Sequence, residues 1–134
     1  MKTKSILLLI CTSGLLAVVI GAFGAHGLKP RLSPYQLMIY EKGVSYQFYH
    51  TLAAFLAYIL YEVKQVRFLL TAAVLFLIGI LFFSGSLYIL AIASLTDFPT
   101  ALAGPVTPIG GLFFIGGWAT LIFAAVKNSQ IQIK

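Results

Sequence analysis

Four long apolar stretches, separated by short polar segments, are the feature that most constrains the fold of this chain. They cover residues 5–25, 44–63, 68–95 and 107–126. About 20 apolar residues in a helix cross a hydrocarbon core about 30 Å thick, so each stretch can span a membrane, and the third must tilt or project beyond it. With 60% hydrophobic and only 9% charged residues, a soluble fold of 134 residues would leave much apolar surface exposed to water. The sequence therefore predicts an all-α integral membrane protein, with a single transmembrane domain over residues 1–134.

The segment between the first two stretches carries helix signals of its own. Ser33 is a typical N-cap residue, Pro34 fits the first helical position, and Gln36 completes a capping box. We therefore expect a short helix over about residues 33–42. It is predicted to lie at the membrane interface and to lead into the second span, with Gly43 as a bend.

The basic residues are distributed unequally between the two sides of a four-span arrangement. One side carries Lys2, Lys4, Lys64, Arg67, Lys127 and Lys134, and the other carries Lys29, Arg31 and Lys42. Because cytoplasmic loops hold the excess of Lys and Arg, both termini are predicted to be cytoplasmic. The net charge of +6 is spread between the spans, which suits anionic lipid head groups and argues against nucleic-acid binding.

Small residues recur along the apolar stretches, at seven-residue intervals in the third and fourth. Membrane helices associate through close packing, which small side chains permit, and heptad spacing favours left-handed crossings of about +20°. The pattern predicts a compact antiparallel four-helix bundle. The glycines expected at helix contacts are Gly14, Gly21, Gly24, Gly79, Gly85, Gly110 and Gly117, and some of them could instead lie between protomers of a homo-oligomer.

Polar residues inside the apolar stretches are the candidates for a functional site, because polar groups in a bilayer need partners. Gln47 and His50 share a helix face. Thr107 and Pro108 resemble an N-cap and a first-turn proline, which would leave free N–H groups at the start of the fourth helix. The predicted cluster, in the outer half of the membrane, comprises His26, Gln47, His50, Ser84, Ser86 and Thr107. It serves either to bind a ligand or to fix helix register through mutual hydrogen bonds.

Several classes of function fit the sequence poorly. The carboxylates Glu41, Glu62 and Asp97 lie at span ends or in loops, so no embedded acid is available for a proton-coupled exporter of the small multidrug type. Cys11 is the only cysteine, which excludes a CxxC metal site, and no metal or other cofactor is predicted. Haem between the two histidines has no further support. A serine–histidine catalytic pair lacks both a G-x-S-x-G elbow and an orienting carboxylate.

Four motifs, GAFGAHGL, YQFYH, FSGSLY and TPIGG followed by GGW, together resemble one protein family. It is domain-of-unknown-function family 423, the YgdD and YwdK group of small bacterial inner-membrane proteins, with relatives in animals. The resemblance covers nearly the whole chain and implies a four-span protein of the bacterial cytoplasmic membrane without a defined activity. The family's characteristic positions correspond here to Gly24, His26, Gly27, Gln47, His50, Ser84, Gly85, Ser86, Thr107, Pro108 and Gly110.

These observations favour a multi-pass, non-enzymatic membrane protein with a structural, interaction or accessory role. The expected partners are membrane lipids, a second copy of the chain or another membrane protein. The alternative is a carrier or binder of a small apolar or amphipathic molecule, such as a lipid or quinone, held near His26 and His50. A haem-binding or enzymatic role ranks third.

Overall fold

The computed structural model describes residues 3–96, 100 and 103–127, and all regular secondary structure in these ranges is helical. The all-α prediction is therefore confirmed for the described residues. Lys2, Asp97 and Lys134, which the sequence places in loops or at the termini, lie outside them.

The described helices follow the apolar stretches. Helix α1 (Thr3–Phe23) continues into a π-helical turn (Gly24–Leu28), and α2 runs over 31 residues (Pro34–Lys64). A single long helix follows: it comprises α3 (Arg67–Gly79), a second π-helical turn (Ile80–Ser84), α4 (Gly85–Ile92) and a 3₁₀ turn (Ala93–Leu95). The last described helix is α5 (Ala103–Lys127).

Three of these helical segments are long and apolar enough to cross a bilayer: Thr3–Leu28, Arg67–Leu95 and Ala103–Lys127. Helix α2 has the length, but its first half carries several tyrosines together with Gln47 and His50, and it is not among the three. The structure thus gives three candidate spans where the sequence predicts four.

The predicted start of α2 is confirmed in its local geometry, but the predicted separate helix is not. The Ser33 hydroxyl accepts from the Gln36 amide at 3.3 Å, and Gln36 Oε1 accepts from the Ser33 amide at 2.9 Å, which completes the capping box. Residues 34–42 are the first turns of one continuous α2. Helix α2 continues through Gly43 without interruption. Gly43 lets α4 approach, because a Cβ there would lie 2.9 Å from the Tyr88 ring.

The predicted N-cap at Thr107 is wrong. Helix α5 is already helical at Ala103, Pro108 lies inside it, and the Thr107 hydroxyl bonds to the Ala103 carbonyl oxygen within the same helix at 3.3 Å. A proline inside a helix has no N–H to bond to the carbonyl group one turn earlier. Within a membrane, neighbouring groups can satisfy that carbonyl group, so α5 can continue through Pro108. The free N–H groups expected at Thr107 are therefore absent from this part of α5.

Helix α2 packs against α1 and against the α3–α4 helix, while α5 packs against α3 and the second π-turn. The larger core lies among Ile6, Ile10, Ala54, Phe76 and Phe114, and a smaller one includes Leu28, Leu32, Tyr40 and Ala91. Helices α1 and α3 make few contacts with each other. This unequal packing determines where polar groups are enclosed and where a groove opens.

The glycines predicted at helix contacts have different surroundings. A Cβ on Gly110 would meet the Phe83 backbone, and Cβ atoms on Gly79 and Gly117 would meet the Phe114 and Phe76 rings. Less severe contacts would arise at Gly14 with Thr51 (3.6 Å) and at Gly21 with Val44 (3.2 Å), whereas Gly24 lies directly against the Tyr40 ring. Gly85 differs from all of these, because a Cβ there would have no such atom within 4 Å.

Candidate functional site

Hydroxyl and amide groups join α1 to α2 in the middle of α1. Ser13 Oγ lies 2.7 Å from Thr51 Oγ1, and Gln47 Nε2 donates to the Ser13 carbonyl oxygen at 2.9 Å. All three residues are buried, with Gln47 only 4% exposed. Because each polar group has its partner across the seam, these contacts fix the register of α1 against α2.

The same glutamine also binds α4. The Tyr88 hydroxyl donates to Gln47 Oε1 at 2.7 Å, so one side chain connects α1, α2 and α4. The Tyr88 ring lies 5.2 Å from the Tyr40 ring, centroid to centroid, and the Tyr40 hydroxyl donates to the Ile20 carbonyl oxygen at 2.8 Å.

His50 is enclosed by aromatic rings from the neighbouring helices. Its imidazole stacks on Phe114 with a centroid distance of 3.5 Å and an interplanar angle of 10°, and Phe76 lies 5.6 Å away. His50 Nδ1 lies 2.9 Å from the Tyr46 carbonyl oxygen, so Nδ1 carries the proton and Nε2 is the acceptor. Trp118 Nε1 donates to that Nε2 at 3.4 Å. Both ring nitrogens therefore already have protein partners.

Ser86 and Thr107 form a separate polar contact between α4 and α5. Their hydroxyl oxygens are 2.7 Å apart, with the Phe83 carbonyl oxygen 2.9 Å from Ser86 Oγ. Each hydroxyl has one hydrogen and two lone pairs, so one of them donates across the interface while the other donates within its own helix. The pair is satisfied internally, next to the second π-turn.

Ser84 and His26 do not join these contacts. Ser84 is 1% exposed, and among the described residues its Oγ is the only buried side-chain nitrogen or oxygen without a hydrogen-bond partner. His26 is exposed in the first π-turn. The six residues predicted as one cluster are therefore separate in the structure. Gln47, His50 and the Ser86–Thr107 pair make three different helix contacts. Ser84 has no hydrogen-bond partner among the described residues, and His26 is exposed.

Five partners were missed by the sequence reasoning: Ser13, Tyr46, Thr51, Tyr88 and Trp118. Ser13 and Thr51 are mid-helix hydroxyls beside small residues, a weak signal for a helix contact. Tyr88 lies in the FSGSLY motif, but nothing in the sequence indicates that its hydroxyl reaches α2. The partners of a buried amide depend on helix arrangement, which the sequence pattern alone does not specify.

A lateral groove of about 630 Å³ opens between α1 and the α3–α4 helix, where these helices make few contacts. Its lining includes Leu9, Leu16 and Ile20 on α1, and Val74, Leu81, Gly85 and Tyr88 on the α3–α4 helix. Ser13 and Gln47 lie along its base, and none of the described residues that line it is charged. A smaller cavity of about 270 Å³ lies beside Gly21, Tyr40 and Glu41, on the α1–α2 seam.

The chemistry available in the described residues is that of helix contacts and an apolar groove. No group of three or more His, Cys, Asp or Glu side chains is placed to hold a metal ion in the described part of the chain. His50 bonds to Tyr46 and Trp118, whereas Ser86 and Thr107 bond to each other. The arrangement gives no support to a haem between the histidines, because His26 is exposed while both nitrogens of His50 are in use.

Residues 20–111 match the family described as "Protein of unknown function (DUF423)". A UPF0382 membrane protein of Staphylococcus haemolyticus is 42% identical over 127 residues, 95% of this chain and 98% of that protein. The UPF0382 membrane protein YwdK of Bacillus subtilis is 38% identical over 125 residues, 92% of this chain and 98% of its own length. The UPF0382 inner membrane protein YgdD of Escherichia coli is 32% identical over 127 residues, 95% of this chain and 93% of its own length.

No solved structure matches the chain. The relatives are named as bacterial membrane proteins, and three described helices have the length and apolarity to cross a bilayer. The protein is therefore a membrane protein, and it belongs to the DUF423 family.

Proposed function

We propose that the protein is a non-enzymatic, four-span protein of the bacterial cytoplasmic membrane with a structural or accessory role. Its internal polar groups hold a four-helix bundle together, and its outer surface contacts lipids or a protein partner. The observation that carries this proposal is the Gln47 side chain, which donates to Ser13 on α1 and accepts from Tyr88 on α4. A glutamine used in this way acts as a helix connector.

A fourth span at α2 is supported by the distribution of its side chains. The polar residues Gln47, His50 and Thr51 are buried against other helices. Over residues 44–61, the residues that α2 exposes are large and either apolar or aromatic: Phe48, Tyr49, Leu52, Phe55, Leu56 and Ile59. A helix whose polar side chains face protein and whose outer face is apolar suits lipid, even though its average composition is more polar than that of α1.

The proposed orientation places both termini in the cytoplasm. It rests on the positive-inside rule and on the six-to-three distribution of basic residues. The non-enzymatic role is supported by His50, whose two ring nitrogens bond to Tyr46 and Trp118 and are not available to activate a nucleophile. Glu41 and Glu62, the two described carboxylates, lie exposed along α2.

Cysteine accessibility tests the number of spans. In a Cys11→Ser background, we expect Pro30→Cys to react with a membrane-impermeant maleimide in intact cells, and Gln65→Cys to react only after the membrane is opened. Pro30 precedes α2 and Gln65 follows it directly, and both are exposed, so a spanning α2 separates them. Equal labelling of both positions in intact cells, or of neither, would contradict the four-span arrangement.

A second candidate function is the binding of a small apolar or amphipathic molecule. The observation that favours it is the groove of about 630 Å³ between α1 and the α3–α4 helix. Its position differs from the one that the sequence suggests, because His26 is exposed and His50 is enclosed by Phe114 and Phe76. A ligand would lie over Gln47 and Tyr88 instead.

A further inference from the structure

The lateral groove is open at the surface of the protein. Leu9, Leu16 and Leu81 form its edges and are 48%, 45% and 69% exposed. Its base is closed by α2, where Gln47 already bonds to Ser13 and Tyr88. The groove therefore presents apolar walls to the bilayer and few available polar atoms, which suits a hydrocarbon chain.

We propose that this groove binds one acyl chain of an anionic phospholipid, whose head group is held by Arg67. The proposal rests on the second candidate function and names its ligand. It assigns a binding role to Arg67 and to Gly85, neither of which belongs to the polar contacts between the helices.

The dimensions of the groove correspond to an acyl chain. It extends from Leu9 to Ile20 along α1 and from Val74 to Tyr88 along the α3–α4 helix. At about 1.5 Å per residue these segments are roughly 16 Å and roughly 21 Å long. One leaflet of a hydrocarbon core about 30 Å thick accounts for about 15 Å. A chain that enters from one leaflet would fill most of the groove.

The two ends of the α3–α4 helix differ in charge. Val74 and Leu81 line the groove seven residues apart, and Arg67 lies seven residues before Val74 in the same row of α3. It is exposed at the first position of α3, roughly 10 Å beyond the groove along the helix axis. At the other end of this helix, Tyr88 lines the groove, and residues 68–96 contain no basic residue. The α3–α4 helix therefore offers a cation to a phosphate only at its Arg67 end.

The length of an arginine side chain fits this placement. Arg67 is the first residue of α3, and helical side chains point toward the helix N-terminus, so its guanidinium can extend beyond the end of the groove into the head-group region. The guanidinium can bind two phosphate oxygens at once, a geometry that a lysine does not offer. In the proposed orientation this end faces the cytoplasm, so the ligand would come from the cytoplasmic leaflet.

Lipid binding to purified, delipidated full-length protein, measured by native mass spectrometry, tests the proposal. The probes are phosphatidylglycerol and phosphatidylcholine with identical oleoyl chains, and an isoprenoid quinone. We expect one phosphatidylglycerol per chain, bound in preference to phosphatidylcholine. Arg67→Ala should weaken phosphatidylglycerol binding about fivefold and remove the preference. Lys4→Ala is the matched control, because Lys4 is exposed about 140° around α1 from Leu9 and should not affect binding.

Blocking the groove gives an independent readout. Gly85→Phe should abolish binding of both phospholipids without changing the melting temperature, because a Cβ at Gly85 meets no atom within 4 Å. Gly104→Phe is the matched control, since Gly104 has equally open surroundings but lies on α5, outside the groove. Retention of binding in Gly85→Phe would overturn the groove assignment.

The remaining outcomes separate this inference from the functions on which it rests. Equal affinity for the two phospholipids in the unaltered protein, or selective binding of the quinone, would overturn the anionic-lipid assignment while leaving a ligand-binding role intact. Binding of none of the three probes would overturn the inference and the second candidate function together. None of these results would change the cysteine labelling that tests the four-span arrangement.

Discussion

The α3–α4 helix has two sides that differ in how closely a neighbouring helix approaches. On the side of α5, glycines and aromatic rings interlock, and Gly110 lies against the Phe83 backbone. On the side of α1, the helices separate and leave a groove of about 630 Å³ in which Gly85 has open surroundings. We refer to these as the closed side and the open side.

Glycine has a different effect on each side of the α3–α4 helix. A glycine on the closed side allows two backbones to approach, which increases dispersion contacts in a medium where apolar side chains gain little by association. Gly85, on the open side, instead leaves space in the groove. Gly85 and Gly110 both belong to the set of glycines that the sequence predicts at helix contacts, so the sequence pattern alone does not separate them.

The largest effect is expected at the closed side. Gly110→Ala would place a methyl group against the backbone N and Cα of Phe83, which can move only if α5 or the second π-turn shifts. We expect a loss of about 3 kcal/mol in the free energy of unfolding, at the upper end for overpacking. Thermal unfolding in a mild detergent measures this loss.

The matched control is the adjacent glycine. A Cβ on Gly111 would lie 4.0 Å from the nearest atom outside its own helix backbone, in the Phe83 ring, so Gly111→Ala should leave the melting temperature unchanged or raise it slightly. Equal melting temperatures for Gly110→Ala and Gly111→Ala would show that the closed side is not closely packed.

A smaller effect is expected for the hydrogen bond between Gln47 and Tyr88, which lies beneath the open side. Gln47→Leu and Tyr88→Phe should each lower the free energy of unfolding by about 1 kcal/mol, and the double variant should cost less than the sum. Double-mutant cycles give interhelical hydrogen bonds in membranes an average coupling energy of about 0.6 kcal/mol, and we expect a similar value here. Reversible unfolding in mixed micelles measures it, and strictly additive losses would contradict a connection between α2 and α4 through this bond.

Local signals in the sequence were sufficient for much of the helical structure. The apolar stretch 68–95 corresponds to the long helix Arg67–Leu95, and the Ser33–Gln36 capping box forms as predicted. Thr107 and Pro108 show the limit of such signals. The same residue types begin helices in water, but within a membrane protein a proline is tolerated inside a helix and a threonine can bond to its own helix.

The candidate site was predicted less well, because its geometry depends on neighbours. Gln47 and His50 are three residues apart, which separates their directions by about 60° around the helix. That angle is enough for Gln47 to contact α1 and α4 while His50 stacks on Phe114 of α5. The π-turns at Gly24–Leu28 and Ile80–Ser84 change the helical phase beyond them, and no regular periodicity predicts such an insertion.

The smallest effect is expected at Gly85, where it directly tests the difference between the open and the closed side. Gly85→Ala adds the same methyl group as Gly110→Ala, but outside its own helix backbone this group meets no atom within 4 Å. Replacing glycine by alanine inside a helix stabilises it by up to about 1 kcal/mol when nothing obstructs the new side chain. We therefore expect Gly85→Ala to leave the melting temperature unchanged or to raise it by a small amount under the conditions used for Gly110→Ala. A loss of stability as large as that of Gly110→Ala would mean that another helix closes over Gly85 in the membrane, and the groove would then be a packing interface and not a lipid site.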